Sequence, residues 1–146
     1  MKGVVVVLCF FCLTLEPTAM SGAQGPKALL LFGGSDHKTF LGCLNCVETS
    51  SVSICNDVGD YGSDVAENSI WNDVGTFGSD VSPFSPWNDI STDAPIIVDR
   101  DGNSYGYMST NTVHRDRTRI GWLVAVLDYY ENTNDLEETR EKMCGE

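Results

Sequence analysis

Cys43 and Cys46 stand three residues apart in the run Leu41-Gly42-Cys43-Leu44-Asn45-Cys46, a spacing open to three chemistries. A C-x-x-C pair with a lowered thiol pKa exchanges disulfides. Such pairs open a helix after a strand in a βαβ setting, and nothing in this chain reads as that unit. The same sulfurs with Cys55 and a histidine would form a zinc site, which requires thiols that stay reduced. The third reading is a structural disulfide, favoured wherever the compartment is oxidising.

Carboxylates offer the second chemistry. Between Lys38 and Arg100 the chain has ten acids and no base. Asp99, Asp101 and Asn103 resemble the opening of a D-x-D-x-[DN]-G calcium loop, whose hard oxygens suit that ion. Gly102 falls inside the spacing, however, and the twelfth position is Thr110 where a glutamate is required. A hairpin turn beside a solvated acidic face is the simpler reading. No organic cofactor is expected, and calcium is the cation these acids would suit.

His37 and His114 are the only histidines. Asp36-His37-Lys38 and His114 with Asp116 could each seat a general base, yet no nucleophile is indicated beside either. His114, Arg115, Arg117 and Arg119 form the sole positive run, and pairing with the acidic repeat face accounts for it most simply. Trp71, Trp87, Tyr61, Phe77 and Phe84 recur at a spacing that would make a sugar platform if exposed, with Asn72 and Asn88 to bond hydroxyls. A domain of about 120 residues must fill its interior, so burial is the stronger expectation. Cys55 supports it: a cysteine can replace a buried apolar residue but not a stacking surface.

The elements that position these groups begin with an export segment. Lys2 precedes an apolar run from Val4 to Leu15, Pro17 breaks it, and Ser21-Gly22-Ala23 supplies small residues before a cleavage point at Gln24. Twelve residues of helix cover roughly 18 Å, too little for a ~30 Å membrane core. Residues 1–23 are therefore expected to be a signal peptide, with no membrane span after cleavage. Four cysteines then remain, Cys43, Cys46, Cys55 and Cys144, and an oxidising compartment favours two bridges. Cys43–Cys46 and Cys55–Cys144 is the preferred pairing of the three available. The 146 residues carry a net charge of −12, which argues against nucleic acid and anionic membrane surfaces as partners.

A 16-residue repeat occupies residues 53–92. Its units open as S-I-C-N-D-V-G from Ser53, S-I-W-N-D-V-G from Ser69 and S-P-W-N-D-I from Ser85. The third decays after Ile90, as a capping copy would. Serine suits an N-cap, and Gly59 or Gly75 six residues later suits the left-handed end of a short helical turn. Trp71 and Val74, three apart, are then expected on one face, with Trp, Val and Phe stacking the units.

Around the repeat, Ala28–Phe32 and Thr39–Leu41 read as a strand pair, and residues 95–109 as a β-hairpin. Residues 116–130 read as a helix, with Ile120, Leu123, Val124 and Leu127 on its apolar face. Residues 132–146 form an acidic tail or a short second helix. The sum is an α+β disulfide-containing fold: one domain over 24–131, with stacked turn-rich repeats in its middle.

The chain resembles a set of uncharacterised secreted bacterial proteins. It matches their D-H-K-x-[FY]-L-G-C-L-x-C stretch at Asp36–Cys46, their tandem S-I-W-N-x-[YF]-G units from Ser53, and their P-x-I-V-D-x-D-G-N-x-Y-G-Y element at Pro95–Tyr107. It departs from them at Val58, Val65, Val74 and Val81, where those units have an aromatic. The resemblance implies architecture and no activity. The expected function is that of an exported (secreted or periplasmic), non-catalytic domain binding a cell-surface or extracellular ligand. The alternative is an enzyme, either a thiol oxidoreductase using Cys43 and Cys46 or a hydrolase using His37.

Overall fold

A computed structural model describes residues 25–145, so the signal segment expected over 1–23 lies outside the described residues. Four short strands form one antiparallel sheet: β1 (Leu30–Gly33), β2 (Thr39–Cys43), β3 (Ile96–Val98) and β4 (Ser104–Tyr107), in the order β2-β1-β3-β4. β1 lies between β2 and β3, with Leu31 opposite Gly42 on one side and Ile97 on the other. Alternation buries Leu31, Leu41 and Ile97 completely, and these side chains meet the repeats and the first helix in one core.

Residues 44–95 leave the sheet after β2 and return to it at β3. Their hydrogen bonds form a staircase of turns. Ser50 N donates to Val47 O, Ser53 N to Ser50 O, Asn56 N to Ser53 O and Gly59 N to Asn56 O. Every step is three residues long except Gly59 to Ser63 and Gly75 to Ser79, which span four. That single long step per unit makes the sequence period 16 and not 15. The unit serines are fully buried, and each accepts from the backbone N–H two residues on, at 3.1 Å to Cys55, Trp71 and Trp87.

The geometry corrects two expectations. The repeat glycines do not sit in the left-handed region. Gly62 and Gly78 are required for close approach instead, because a Cβ there would lie 2.1 Å from the carbonyl oxygen of Asn56 or Asn72. Trp71 and Val74 also face opposite ways: Trp71 is buried and Val74 is 88% exposed. The Asn72 side chain accepts from Val74 N and reverses the chain between them, which a helical turn would not do. The tryptophans stack the units, Phe77 is buried in the core, and the valines lie outside.

Helix α1 (Gly121–Thr133) starts five residues later than the apolar spacing suggests. Residues 116–118 pair with β4 first: Tyr107 N donates to Asp116 O and Thr118 N to Tyr107 O, both at 2.8 Å. The buried stripe is Leu123, Val126, Leu127 and Tyr130, so Val126 replaces Val124 on the core face. Helix α2 (Leu136–Cys144) is capped by Asp135, whose carboxylate accepts from Glu138 N at 2.9 Å. It packs Leu136, Met143 and Cys144 on the core and so continues the domain past residue 131. Cys43–Cys46 and Cys55–Cys144 are both disulfides, the second joining the first repeat to the end of α2. Among the described residues no helix is long and apolar enough to cross a membrane.

Candidate functional site

Each repeat is built around an asparagine, preceded by a tryptophan in the second and third units and by Cys55 in the first, and both tryptophans face inward. The Trp71 indole donates to Ile54 O at 2.7 Å, and the Trp87 indole to Ile70 O at 2.6 Å. Each ring thereby fastens its unit to the one before. Trp71 and Trp87 stack with centroids 5.4 Å apart, and Tyr130 of α1 closes the stack 4.9 Å beyond Trp87. Asn56, Asn72 and Asn88 bracket the turns. Their amide groups donate to Ser50, Ala66 and Ser82 carbonyls, and their oxygens accept from Val58, Val74 and Ile90. Trp71, Trp87, Asn72 and Asn88 are therefore interior, with their polar atoms engaged within the fold.

A fourth copy of this bracket is present and was missed in the sequence. Asn111 donates to Ser91 O and accepts from Val113 N, as the repeat asparagines do. Thr110 takes the place of tryptophan, donating both its N–H and its hydroxyl to Pro86 O. The β3–β4 hairpin separates this coil from the others and hides the period. The surviving signal is Asn111-Thr112-Val113 beside Asn72-Asp73-Val74.

Each bracket leaves an aliphatic side chain at its turn tip, preceded by an aspartate in the three repeat units and by Thr112 in the fourth copy. Val58, Val74, Ile90 and Val113 form one column at equivalent positions, and Val65 and Val81 a second. All six are 80–88% exposed. Exposed apolar residues are ordinarily scattered singly, so two periodic columns stand out from a bland surface. Asp57, Asp64, Asp73, Asp80 and Asp89 each immediately precede one of these residues.

Three adjoining depressions, of about 530, 440 and 180 Å³, run between the repeats and the α1–α2 hairpin. Adjacent ones share lining residues, Leu136 and Glu137 at one junction and Asp80 and Tyr130 at the next, so they form one furrow. Val65 and Val74, one from each column, line its first section.

The hairpin considered for calcium is organised around a buried carboxylate. Asp99 accepts from Asp101 N and Asn103 N through one oxygen, and from Asn103 Nδ2, Tyr105 Oη and Lys27 Nζ through the other. Lys27 also reaches Asp101 at 2.9 Å, so an ammonium bridges the two carboxylates a cation would use. Asn103 foremost, with Tyr105 and Lys27, holds the Asp99 carboxyl well below the usual range against the opposing effect of burial. A carboxylate depressed in this way contributes stability in full above its unfolded pKa of about 4 and loses it as pH falls through the native value. Melting temperatures of the wild type and Asp99→Asn are therefore expected to differ at neutral pH and converge below about pH 4. Parallel curves down to about pH 2 would remove Asp99 from the acid transition.

The two histidines converge on one ring. His37 and His114 lie on Tyr107 with centroids at 5.4 and 4.7 Å, and their Nε2 atoms bond Ala94 O and Thr92 O. These carbonyls can only accept, so each Nε2 carries the proton and donates. Among the described residues neither ring bonds a serine, threonine or cysteine side chain. Arg117 pairs with Asp128 of α1 at 2.8 Å, where the repeat face was the expected partner. Arg115 and Arg119 line an open groove with Tyr105 and Tyr107.

The site thus defines a disulfide-linked α+β domain with a turn-staircase insertion. Comparison with known protein families, with characterised proteins and with solved structures finds no match.

Proposed function

We propose that this is an exported, non-catalytic domain whose repeat staircase displays a contact surface for an extracellular or cell-surface partner. The observation that carries the reading is the pair of exposed aliphatic columns, repeated in register with an interior of stacked tryptophans. The buried brackets hold the tips in a fixed array, as a binding face requires. Two disulfides and the apolar N-terminal run support export, secreted or periplasmic. The likeness to secreted repeat proteins belongs to the same proposal. Calcium is proposed only as a loosely held counterion of the acidic face, since Lys27 already stands between the hairpin carboxylates.

The test is expression of the full chain in an exporting host. The product is expected to begin at Gln24 and to show no titratable thiol when native. A product retaining residues 1–23 would remove the cleaved-export reading, and a Cys43–Cys46 pair found reduced with a pKa below ~7.5 would replace the non-catalytic reading with the oxidoreductase.

A further inference from the structure

The furrow and the columns specify a partner by charge as well as by shape. Asp64, Asp73, Asp80 and Asp89 line it from the repeats, and Glu131, Asp135 and Glu137 from the helical hairpin, with Arg140 the one base among the lining residues. Asp135 caps α2 by accepting from Glu138 N, and none of the other six is in an ion pair or accepts a hydrogen bond on its carboxylate among the described residues. They do not converge: among the described residues no three metal-binding side chains cluster. A point cation cannot engage carboxylates strung along a furrow, whereas a linear polycation can. The adjoining Val65 and Val74 offer separate apolar contacts, which aliphatic side chains standing beside the cations fill better than the thin methylene chain of a polyamine. A second copy of this chain fits poorly, because two faces with no base between Lys38 and Arg100 repel.

We propose that this face takes an extended basic segment of a partner protein. Its cationic side chains lie along the carboxylates and its aliphatic ones against the valine columns. An extended strand sends alternate residues to opposite sides, so one strand can present both kinds. The proposal rests on the reading that the repeat face is the contact surface.

The probe is a labelled peptide of about twelve residues alternating lysine and valine, titrated by anisotropy into the oxidised full chain. Controls alternate glutamate with valine, and serine with valine. The lysine peptide is expected to bind, and to weaken at least about tenfold between low and physiological salt. Asp73→Asn with Asp80→Asn should weaken binding at low salt and make its salt dependence measurably shallower. Val65→Ser with Val74→Ser should weaken binding at every salt concentration. These are turn-tip or furrow positions, and unchanged melting temperatures would confirm intact folds. No binding of the lysine peptide, or binding that ignores the Asn variants, overturns the basic partner. If the serine peptide binds and is lost with the valine variants, the contact face stands and only its charge preference falls. If no peptide responds to the valine variants, the contact-face reading itself fails. Self-association abolished by Val74→Asp would assign the face to a second copy and also overturn the proposal.

Discussion

Trp87→Ala is expected to destabilise the domain by about 3–5 kcal/mol, the range for deleting a large aromatic from a packed core. Trp87 is 2% exposed and joins three elements: it stacks on Trp71 of the preceding unit, meets Tyr130 of α1, and bonds Ile70 O. Removing it leaves a void between repeat and helix and an acceptor without its indole partner. Trp71→Ala is expected at the lower end of the range, since the Tyr130 ring closes the stack on Trp87 and not on Trp71. Trp87→Phe isolates the hydrogen bond from the ring and should cost about 1–2 kcal/mol. Urea unfolding measures the energies. Fluorescence is best read in a Trp122→Phe background, because Trp122 at 44% exposed would otherwise supply quencher-accessible emission. Blue-shifted, quencher-resistant emission is expected. A loss below about 1 kcal/mol for Trp87→Ala would mean that the stack is not what holds the repeats together.

The hairpin pairs, the burial of the indoles and both disulfides were legible because each rests on a local pattern or a simple count. Ile96-Ile97-Val98 before Asp99-Arg100-Asp101-Gly102 states a strand and a turn within seven residues. The direction of Val74 was not legible. It depends on an asparagine side chain closing a turn, and i, i+3 spacing was read with helical geometry. The start of α1 was displaced for a related reason: Asp116–Thr118 satisfies its backbone on β4, a strand ten residues earlier, before the helix can begin.

The candidate site was harder still. Sequence spacing made Trp71, Trp87, Asn72 and Asn88 the conspicuous residues, and the fold uses them as its interior. What reaches solvent is the aspartate and the aliphatic residue following each repeat asparagine, conspicuous only once the bracket is seen. Lys27 and Asp99 are 72 positions apart, and His37 and His114 meet across Tyr107. No local pattern announces such convergence, because the sheet order that creates it is a property of the whole chain.

Replacing Cys55 and Cys144 together by serine is expected to remove about 3–4.5 kcal/mol, the second large effect. The bridge spans 89 positions, so it restricts the unfolded chain far more than Cys43–Cys46, which spans three. Its position adds a native-state consequence. Cys55 occupies the register of Trp71 and Trp87, so the stack that Tyr130 closes at one end lacks an indole at the other. The sulfur there holds α2 instead. α2 has nine residues and a single fully buried one, Thr139, and an isolated helix of that length is marginal in water. Without the bridge its last turn should open first, and amide exchange in 136–144 should accelerate before that of α1 or the sheet. Serine at both positions of the short Cys43–Cys46 bridge should cost less by the entropy term alone. The expected order is therefore a large loss with early opening of α2 for the long bridge, and a smaller loss without it for the short one. A double serine variant at 55 and 144 that melts with the wild type, its α2 amides still protected, would show that packing of Leu136 and Met143 holds the helix without the bridge.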